Sequence, residues 1–390
     1  MTSTLPAADA CDILIVGAGI TGLAHAAEAV SRGLSVHIID RDFHAAGASV
    51  RNFGHACVTA QSGELLELAR TAREGWLRHS ELAGFFSVES GGLAVARSGA
   101  ELGVIEELAA ARPGEVELVP AHDVHHRLGG SGDPAIVGGA LLHSDVRVDP
   151  REAVGRLALW LAAQPNVTFS WRTSYRGSSD GVAQTSRGTI KAAHTLVCVG
   201  HDLDQVYPEL AEEFEVKRCG LQMALVEAPG GRRISQAVLS GTSMLRYPAF
   251  AETAAAAALR TEMEERSPEL LSIDANLMFT QRPDGSLIVG DSHITAATMD
   301  PFLDEATSDT LLRATATLLG TGPLAVRQRW QGIYATSARQ SFLIESPSAT
   351  VTTVTVTSGI GMTISFGLAR RTFETLGSTR RLAASSAGGA

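Results

Sequence analysis

The stretch that most constrains this chain is Ile13-Leu14-Ile15-Val16-Gly17-Ala18-Gly19-Ile20-Thr21-Gly22, followed by Val36-His37-Ile38-Ile39-Asp40. Four consecutive apolar residues, Ile13 to Val16, predict a strand buried on both faces. Gly17-x-Gly19-x-x-Gly22 then opens a helix expected from about Ile20 to Arg32. A second apolar run ends in Asp40, 18 residues after Gly22, close to the spacing of about 20 that a dinucleotide-binding unit carries. Gly17 permits the tight turn, Gly19 leaves room for a pyrophosphate against the backbone, and Gly22 lets helix and strand approach. The first turn, Ile20 and Thr21, offers N–H groups and a partial positive charge to phosphates. Asp40 can accept from both ribose hydroxyls of an adenosine, and an acid there disfavours a 2′-phosphate, so NADP is not expected. FAD and NAD both fit this unit. Its early position suits a flavoprotein whose cofactor domain comes first.

A length of 390 residues predicts two or three domains, and 45% hydrophobic with 19% charged residues is an ordinary enzyme composition. A net charge of −10 argues against non-specific nucleic-acid binding. Cys11, Cys57, Cys198 and Cys219 form no CxxC pair and read as reduced thiols of a cytoplasmic protein. Residues 1–10 hold no positive n-region and no long apolar run, so no signal peptide is expected. No uncharged apolar run is long enough to predict a membrane span.

Gly47-Ala48-Ser49-Val50-Arg51-Asn52-Phe53-Gly54-His55 combines small residues that admit a ligand to the backbone with Arg51 and His55, which can face an anion. The same segment also reads as a solvated loop. Helices are expected over Glu64–Leu82, Ala100–Arg112, Ala121–Leu128, Arg151–Ala163 and Ala306–Leu319. Phe85 to Ala96 reads as two short strands around Gly91-Gly92. His122 and His126 could share a helix face as metal ligands, but no matching Cys, His or acid pattern follows, and a solvated face with no metal is expected. Thr195-Leu196-Val197-Cys198-Val199-Gly200 is a buried strand ending in glycine, where ligands bind in α/β sheets. Leu221–Glu227, Met244–Pro248, Ala275–Gln281 and Ser286–Gly290 alternate as strands of a separate, mixed sheet, with Pro283-Asp284-Gly285 as a hairpin turn. Val351–Val356 leads through Ser358-Gly359-Ile360-Gly361-Met362-Thr363 into a last helix expected to end near Leu376.

These pieces together resemble the FAD-dependent D-amino-acid oxidase superfamily, which includes glycine oxidase and monomeric sarcosine oxidase. The N-terminal glycine triad and the C-terminal Ser-Gly-x-Gly-Met-Thr junction carry the likeness, which spans nearly the whole chain. Gly47 to Gly54 and Trp330-Gln331-Gly332-Ile333-Tyr334-Ala335 further resemble a bacterial subgroup associated with aminophosphonate metabolism. The resemblance implies an α/β fold: a Rossmann-like, glutathione-reductase-type FAD domain over 1–84, 140–214 and 325–382, and an α+β substrate domain over 85–139 and 215–324. Residues 383–390 are expected to be a flexible tail. It implies that Gly17, Gly19, Ile20, Thr21 and Gly22 line the pyrophosphate and that Asp40 and Arg41 meet the adenosine. Ala48, Ser49, Arg51, Asn52, Phe53 and Gly54 would run beside the pyrophosphate, ribityl chain and flavin. Tyr175 would meet the adenine through its backbone, Cys198 and Gly200 would close over the cofactor, and Gly359, Ile360, Gly361, Met362 and Thr363 would aim N–H groups at the flavin N1–C2=O, where negative charge accumulates on reduction.

Two departures from the family pattern bear on chemistry. The substrate-carboxylate Arg of D-amino-acid and glycine oxidases is replaced here by Tyr334. Sarcosine oxidase has a Tyr there, but the Cys that bonds its flavin falls at Gly332 and its oxygen-activating Lys at Ile288. Non-covalent FAD is therefore implied, and fast reaction with oxygen is not. The expected activity is oxidation of the C–N bond of a small amine bearing an anionic group, by hydride transfer to flavin N5. An imine would form and hydrolyse to a carbonyl compound and ammonia or an amine, with oxygen or another acceptor taking the electrons. Aminophosphonates such as 2-aminoethylphosphonate or its N-methyl form rank first, and a sarcosine-like secondary amine or a small D-amino acid also fits the chemistry. Arg51, His55, Arg246, Tyr334, Arg339 and Thr363 are the candidate substrate-anion contacts. No catalytic residue is required by the sequence. A FAD-dependent 2-hydroxy-acid dehydrogenase and a nicotinamide-dependent reductase are the alternatives.

Overall fold

The computed structural model describes residues 10–387. Cys11–Val16 (β1), Ile20–Ser31 (α1) and Val36–Ile39 (β2) form the expected unit, with β1 and β2 parallel and in register from Ile13↔Val36 to Val16↔Ile39. The other edge of β1 pairs in parallel with the long strand Gly188–Val197, which pairs in turn with Val351–Val356. Val167–Ser170 lies beyond β2. The unbroken apolar run of β1 has a direct cause. Ile13 and Ile15 face the helices, packing in one cluster with residues of α1 and of the last helix. Leu14 and Val16 face the opposite side, where Ala183 and Ile190 of an antiparallel hairpin cover them. Both faces exclude water, so alternation is absent.

The second sheet has nine strands. Its spine, Lys217–Val226, pairs along its length with Val326–Thr336 on one edge, and on the other with Leu287–Gly290 and Ile294–Ala296. Met278–Gln281, Ala237–Leu239, Gly92–Ala96, Gly138–Leu142 and Val116–Pro120 continue it. A small three-stranded sheet, His55–Ala56, Val146–Val148 and Ser87–Val88, lies beside both.

Several expectations are corrected. Met244–Pro248 is not a strand: Gly241–Met244 and Pro248–Ala251 are short helical turns, the second opened by Pro248 at its first position. The strands in Phe85–Ala96 do not pair with each other. Ser87–Val88 joins Val146–Val148, whereas Gly92–Ala96 joins the nine-stranded sheet. The expected boundaries at 140 and 325 cut through sheet partners, since Gly138–Leu142 and Val326–Thr336 both belong to the second sheet. The last helix runs Gly361–Ala387, past Leu376 and into the segment expected as a tail, whose residues 388–390 lie outside the described residues. Among the described residues no helix is long and apolar enough to cross a membrane.

Candidate active site

One cavity of about 440 Å³ is lined by both sheets and by the loops at the carboxyl ends of β1 and β2. Its first half is a backbone cradle. Gly17 has φ +102° and sits so close to Cys198 that a Cβ would fall 2.4 Å from the Cys198 carbonyl oxygen. A Cβ on Gly22 would fall 1.9 Å from the Gly17 oxygen, so Gly22 serves the packing of α1 on the turn and does not itself line the cavity. Gly19 is the N-cap of α1 and has no side chain to satisfy the helix start. The Ser49 hydroxyl takes that place, accepting from the Ile20 N–H at 2.9 Å. Asp40 ends β2 with one carboxylate oxygen accepting from Ala18 N–H at 2.6 Å and the other from Asp42 N–H at 2.8 Å. Burial pushes its carboxyl above the usual value, and those donors pull against the rise. Arg41 pairs with Asp202 at 2.8 Å.

The Ala48–Val50 turn is held by Asn52, whose amide donates to Ala48 and Ser49 carbonyls and accepts from Gly54 N–H. Ile20, Thr21, Asp40, Arg41, Ala48, Ser49, Arg51, Asn52, Phe53, Tyr175, Cys198, Gly200 and Gly359 to Met362 all line the same cavity as Gly17 and Gly19. The start of the last helix therefore meets the cradle from the opposite side. Gly359 has φ +75°, and a Cβ on it would fall 2.9 Å from the Tyr334 ring. Gly54 and Thr363 do not line the cavity. Gly54 turns the chain against Val148, and the Thr363 hydroxyl accepts from Cys57 N–H at 3.2 Å.

The second half is polar and enclosed. Arg246 donates to the Tyr334 hydroxyl at 2.9 Å and lies 3.4 Å from Asp274. Burial opposes its charge, but Tyr334, Asp291, Tyr247 and Asp274 around it outweigh that and hold its pKa above the usual value. Arg51 also lines the cavity, donating to the Gln331 carbonyl at 3.1 Å. Two predicted anion contacts are corrected. His55 lies in the small sheet, buried, 2.8 Å from Asp145, because the Gly54 turn sends the chain away from the cavity. Arg339 is exposed and paired with Glu215 at 2.8 Å, beyond the end of Val326–Thr336. Sequence reading missed Asn276, Asp291 and His293, which line the cavity beside Arg246. The visible signal is the acid and histidine directly after the strand that ends at Gly290. Burial lifts the Asp291 carboxyl to about 7. Burial and the Arg246 charge lower the His293 ring to about 4, so it is neutral.

His55, Cys57 and Asp145 bring donor atoms within 4.8 Å of one another. Asp145 already accepts from His55 and from Thr59 N–H at 2.7 Å, which accounts for the group as a buried hydrogen-bond network.

The family profile described as FAD dependent oxidoreductase (DAO) matches residues 12–375. The chain belongs to that family. No curated protein matches it in sequence. Among solved structures, this DAO-family chain resembles glycine oxidase from Bacillus cereus ATCC 14579 at 16% identity, covering 95% of each chain, with a TM-score of 0.76. It resembles L-alpha-glycerophosphate oxidase from Mycoplasma pneumoniae, solved with FAD bound, at 18% identity, 95% of each chain and a TM-score of 0.73. Iminodiacetate oxidase from Chelativorans sp. BNC1 follows at 19% identity, 92% of this chain and 93% of that one, with a TM-score of 0.71. At such identities the likeness is one of fold. The DAO-family chain is thus a FAD-dependent oxidoreductase with an α/β fold, and the nicotinamide-dependent reading is set aside.

The residues present fit FAD. The Gly17–Gly22 contact leaves a backbone cradle with no room for side chains, Asp40 stands at the end of β2, and a second helix start faces it. FAD, when bound, supplies the oxidant that takes the electron pair of a substrate C–H bond. The chain's own residues position, desolvate and charge-match whatever occupies the Arg246–Tyr334 end.

Proposed function

We propose that this enzyme oxidises the C–N bond of a small amine that carries an anionic group, with an aminophosphonate as the first-ranked substrate. Gly17, Gly19, Asp40, Ser49, Gly359 and Met362 are the proposed cofactor contacts. The observation that carries the reading is Arg246, a cavity-lining guanidinium whose partners are the Tyr334 hydroxyl and the more exposed Asp274. Its remaining donors suit a phosphonate or carboxylate oxygen. Arg51 lines the same cavity and adds a second positive charge. Tyr334 stands where the carboxylate Arg of D-amino-acid and glycine oxidases is expected, so the guanidinium is supplied here from a different element, the turn before Pro248. The names of the glycine oxidase and iminodiacetate oxidase neighbours are consistent with an anionic amine. Gly332 offers no side chain for a covalent flavin bond, which supports non-covalent FAD. Ile288 is fully buried and lies outside the cavity lining, so it gives no cation for oxygen activation.

The test is an anaerobic panel of 2-aminoethylphosphonate, its N-methyl form, glycine, sarcosine, D-alanine and a 2-hydroxy acid, scored by bleaching of the flavin band. Bleaching by amines with release of ammonia or methylamine supports the reading. Bleaching by the hydroxy acid alone replaces it with hydroxyl oxidation.

A further inference from the structure

We infer that Asp291 is the proton acceptor of this site: its unpartnered carboxylate oxygen takes the ammonium proton of a substrate whose anion is held by Arg246. The inference rests on the amine reading above. It stands first on geometry. Asp291 directly follows the Leu287–Gly290 strand, and its backbone is clamped to Asn276 by two hydrogen bonds of 2.8 and 3.0 Å. It lines the cavity, is 4% exposed, and its Oδ1 has no hydrogen-bond partner. A buried carboxylate oxygen left without a donor is costly, and few native groups are so placed without a ligand or water to meet them.

The groups around Asp291 decide what that ligand is. Arg246 and Asp274 act on its charge, the Asn276 amide beside it donates to the Tyr247 hydroxyl at 3.5 Å, and His293 Nε2 lies 3.9 Å from Oδ2, beyond a hydrogen bond. Tyr247 and Tyr334 complete the wall, and both hydroxyls are held neutral by burial. The cavity end therefore has a cation to receive an anion and an acid to receive a cation. A zwitterionic amine meets both, whereas a 2-hydroxy acid meets only the first.

The chemistry needs such a group, because an ammonium nitrogen has no lone pair with which to expel electrons. The N–H bond breaks and a carboxyl O–H bond forms. The freed lone pair then becomes the C=N bond as the α C–H pair passes to FAD, the family's oxidant. Burial raises the acid's pKa and lowers that of a bound amine, so the two approach each other and transfer near neutral pH becomes feasible. Asn276, whose own Oδ1 lacks a partner, lines the same cavity.

The test uses the full-length, FAD-loaded protein under anaerobic conditions, with 2-aminoethylphosphonate and sarcosine as probes, from about pH 6 to about pH 10. The limiting rate of flavin bleaching should reach a plateau near neutral pH in the wild type. In Asp291→Asn it should fall by about 100-fold at pH 7. It should then recover to within about 10-fold of wild type at the alkaline end, where the free amine has lost its own proton. Asp291→Glu should keep the neutral plateau. Ethylphosphonate, which lacks the amine, should bind Asp291→Asn no more weakly than wild type, read from the shift of the flavin spectrum. A wild-type pH profile in Asp291→Asn, or a loss that alkaline pH does not rescue, overturns the assignment of Asp291 alone. A wild type that no amine bleaches at any pH overturns the amine reading and this inference together.

Discussion

Arg246 keeps its charge among side chains rather than in water, so its loss is felt differently from that of a surface arginine. Without it Asp291 would hold its proton more tightly and Asp274 would remain, so an incoming anion would lose the positive charge of this wall. Arg246→Met should therefore raise KM for the true substrate by about 30-fold or more, the lower end of the cost of truncating one partner of a desolvated charge pair. An unchanged KM in steady-state kinetics would move the anion to Arg51. Asp291 makes a second residue-scale prediction, about stability. Its folded-state pKa is raised from 3.8 to about 7, so the native state binds this proton more tightly than the unfolded chain. Stability is then lost as pH rises from about 4 to about 7, and the full penalty persists above. Asp291→Asn removes it. The thermal midpoint of the apoprotein variant should match wild type near pH 4 and exceed it increasingly up to pH 7. The gap corresponds to at most about 4 kcal/mol.

At the scale of the element, the proposed cofactor site depends on how α1 and the last helix begin. Neither start uses a capping side chain of its own in the usual way. Gly19 leaves the α1 start to Ser49, and the last helix begins at Gly361 with Thr363 turned away toward Cys57. N–H groups in both first turns thus remain for a ligand. Gly22→Ala would force a Cβ into the Gly17 oxygen. It should abolish FAD retention, seen as loss of the flavin spectrum in purified protein. Gly359→Ala is a subtler probe. It strains a backbone at φ +75° and pushes on the Tyr334 ring, which bonds Arg246. Its expected signature is a raised KM with FAD still bound, measured by kinetics and flavin content in the same sample.

Across the whole molecule, the cavity exists because two sheets are held in one arrangement. Arg282, in the hairpin between Met278–Gln281 and Leu287–Gly290, pairs at 2.9 Å with Asp149, which caps the helix Pro150–Ala162. Asp149 is buried, so Arg282→Met should cost about 1–3 kcal/mol, measurable by denaturant unfolding. Because the proposed cofactor contacts come from the start and the end of the chain, FAD bound there would tie together segments more than 300 residues apart in sequence. Added FAD should raise the thermal midpoint, by the equivalent of about 2.7 kcal/mol at a hundred-fold excess over Kd. NADP should leave it unchanged.

The sequence alone determined the βαβ unit, its buried strand, the acid at its tip and the glycine junction at the far end. Each is a local demand: a run of apolar residues, a turn that admits no Cβ, a spacing fixed by helix length. Tertiary structure decided the rest. Whether His55 or Arg246 faces the cavity depends on which way the chain leaves Gly54 and on Pro248 starting a helical turn where alternation suggested a strand. Asp291 acquired its character only when the second sheet enclosed it beside Asn276 and Arg246. Burial and charge are properties of packing, and no local pattern of residues contains them.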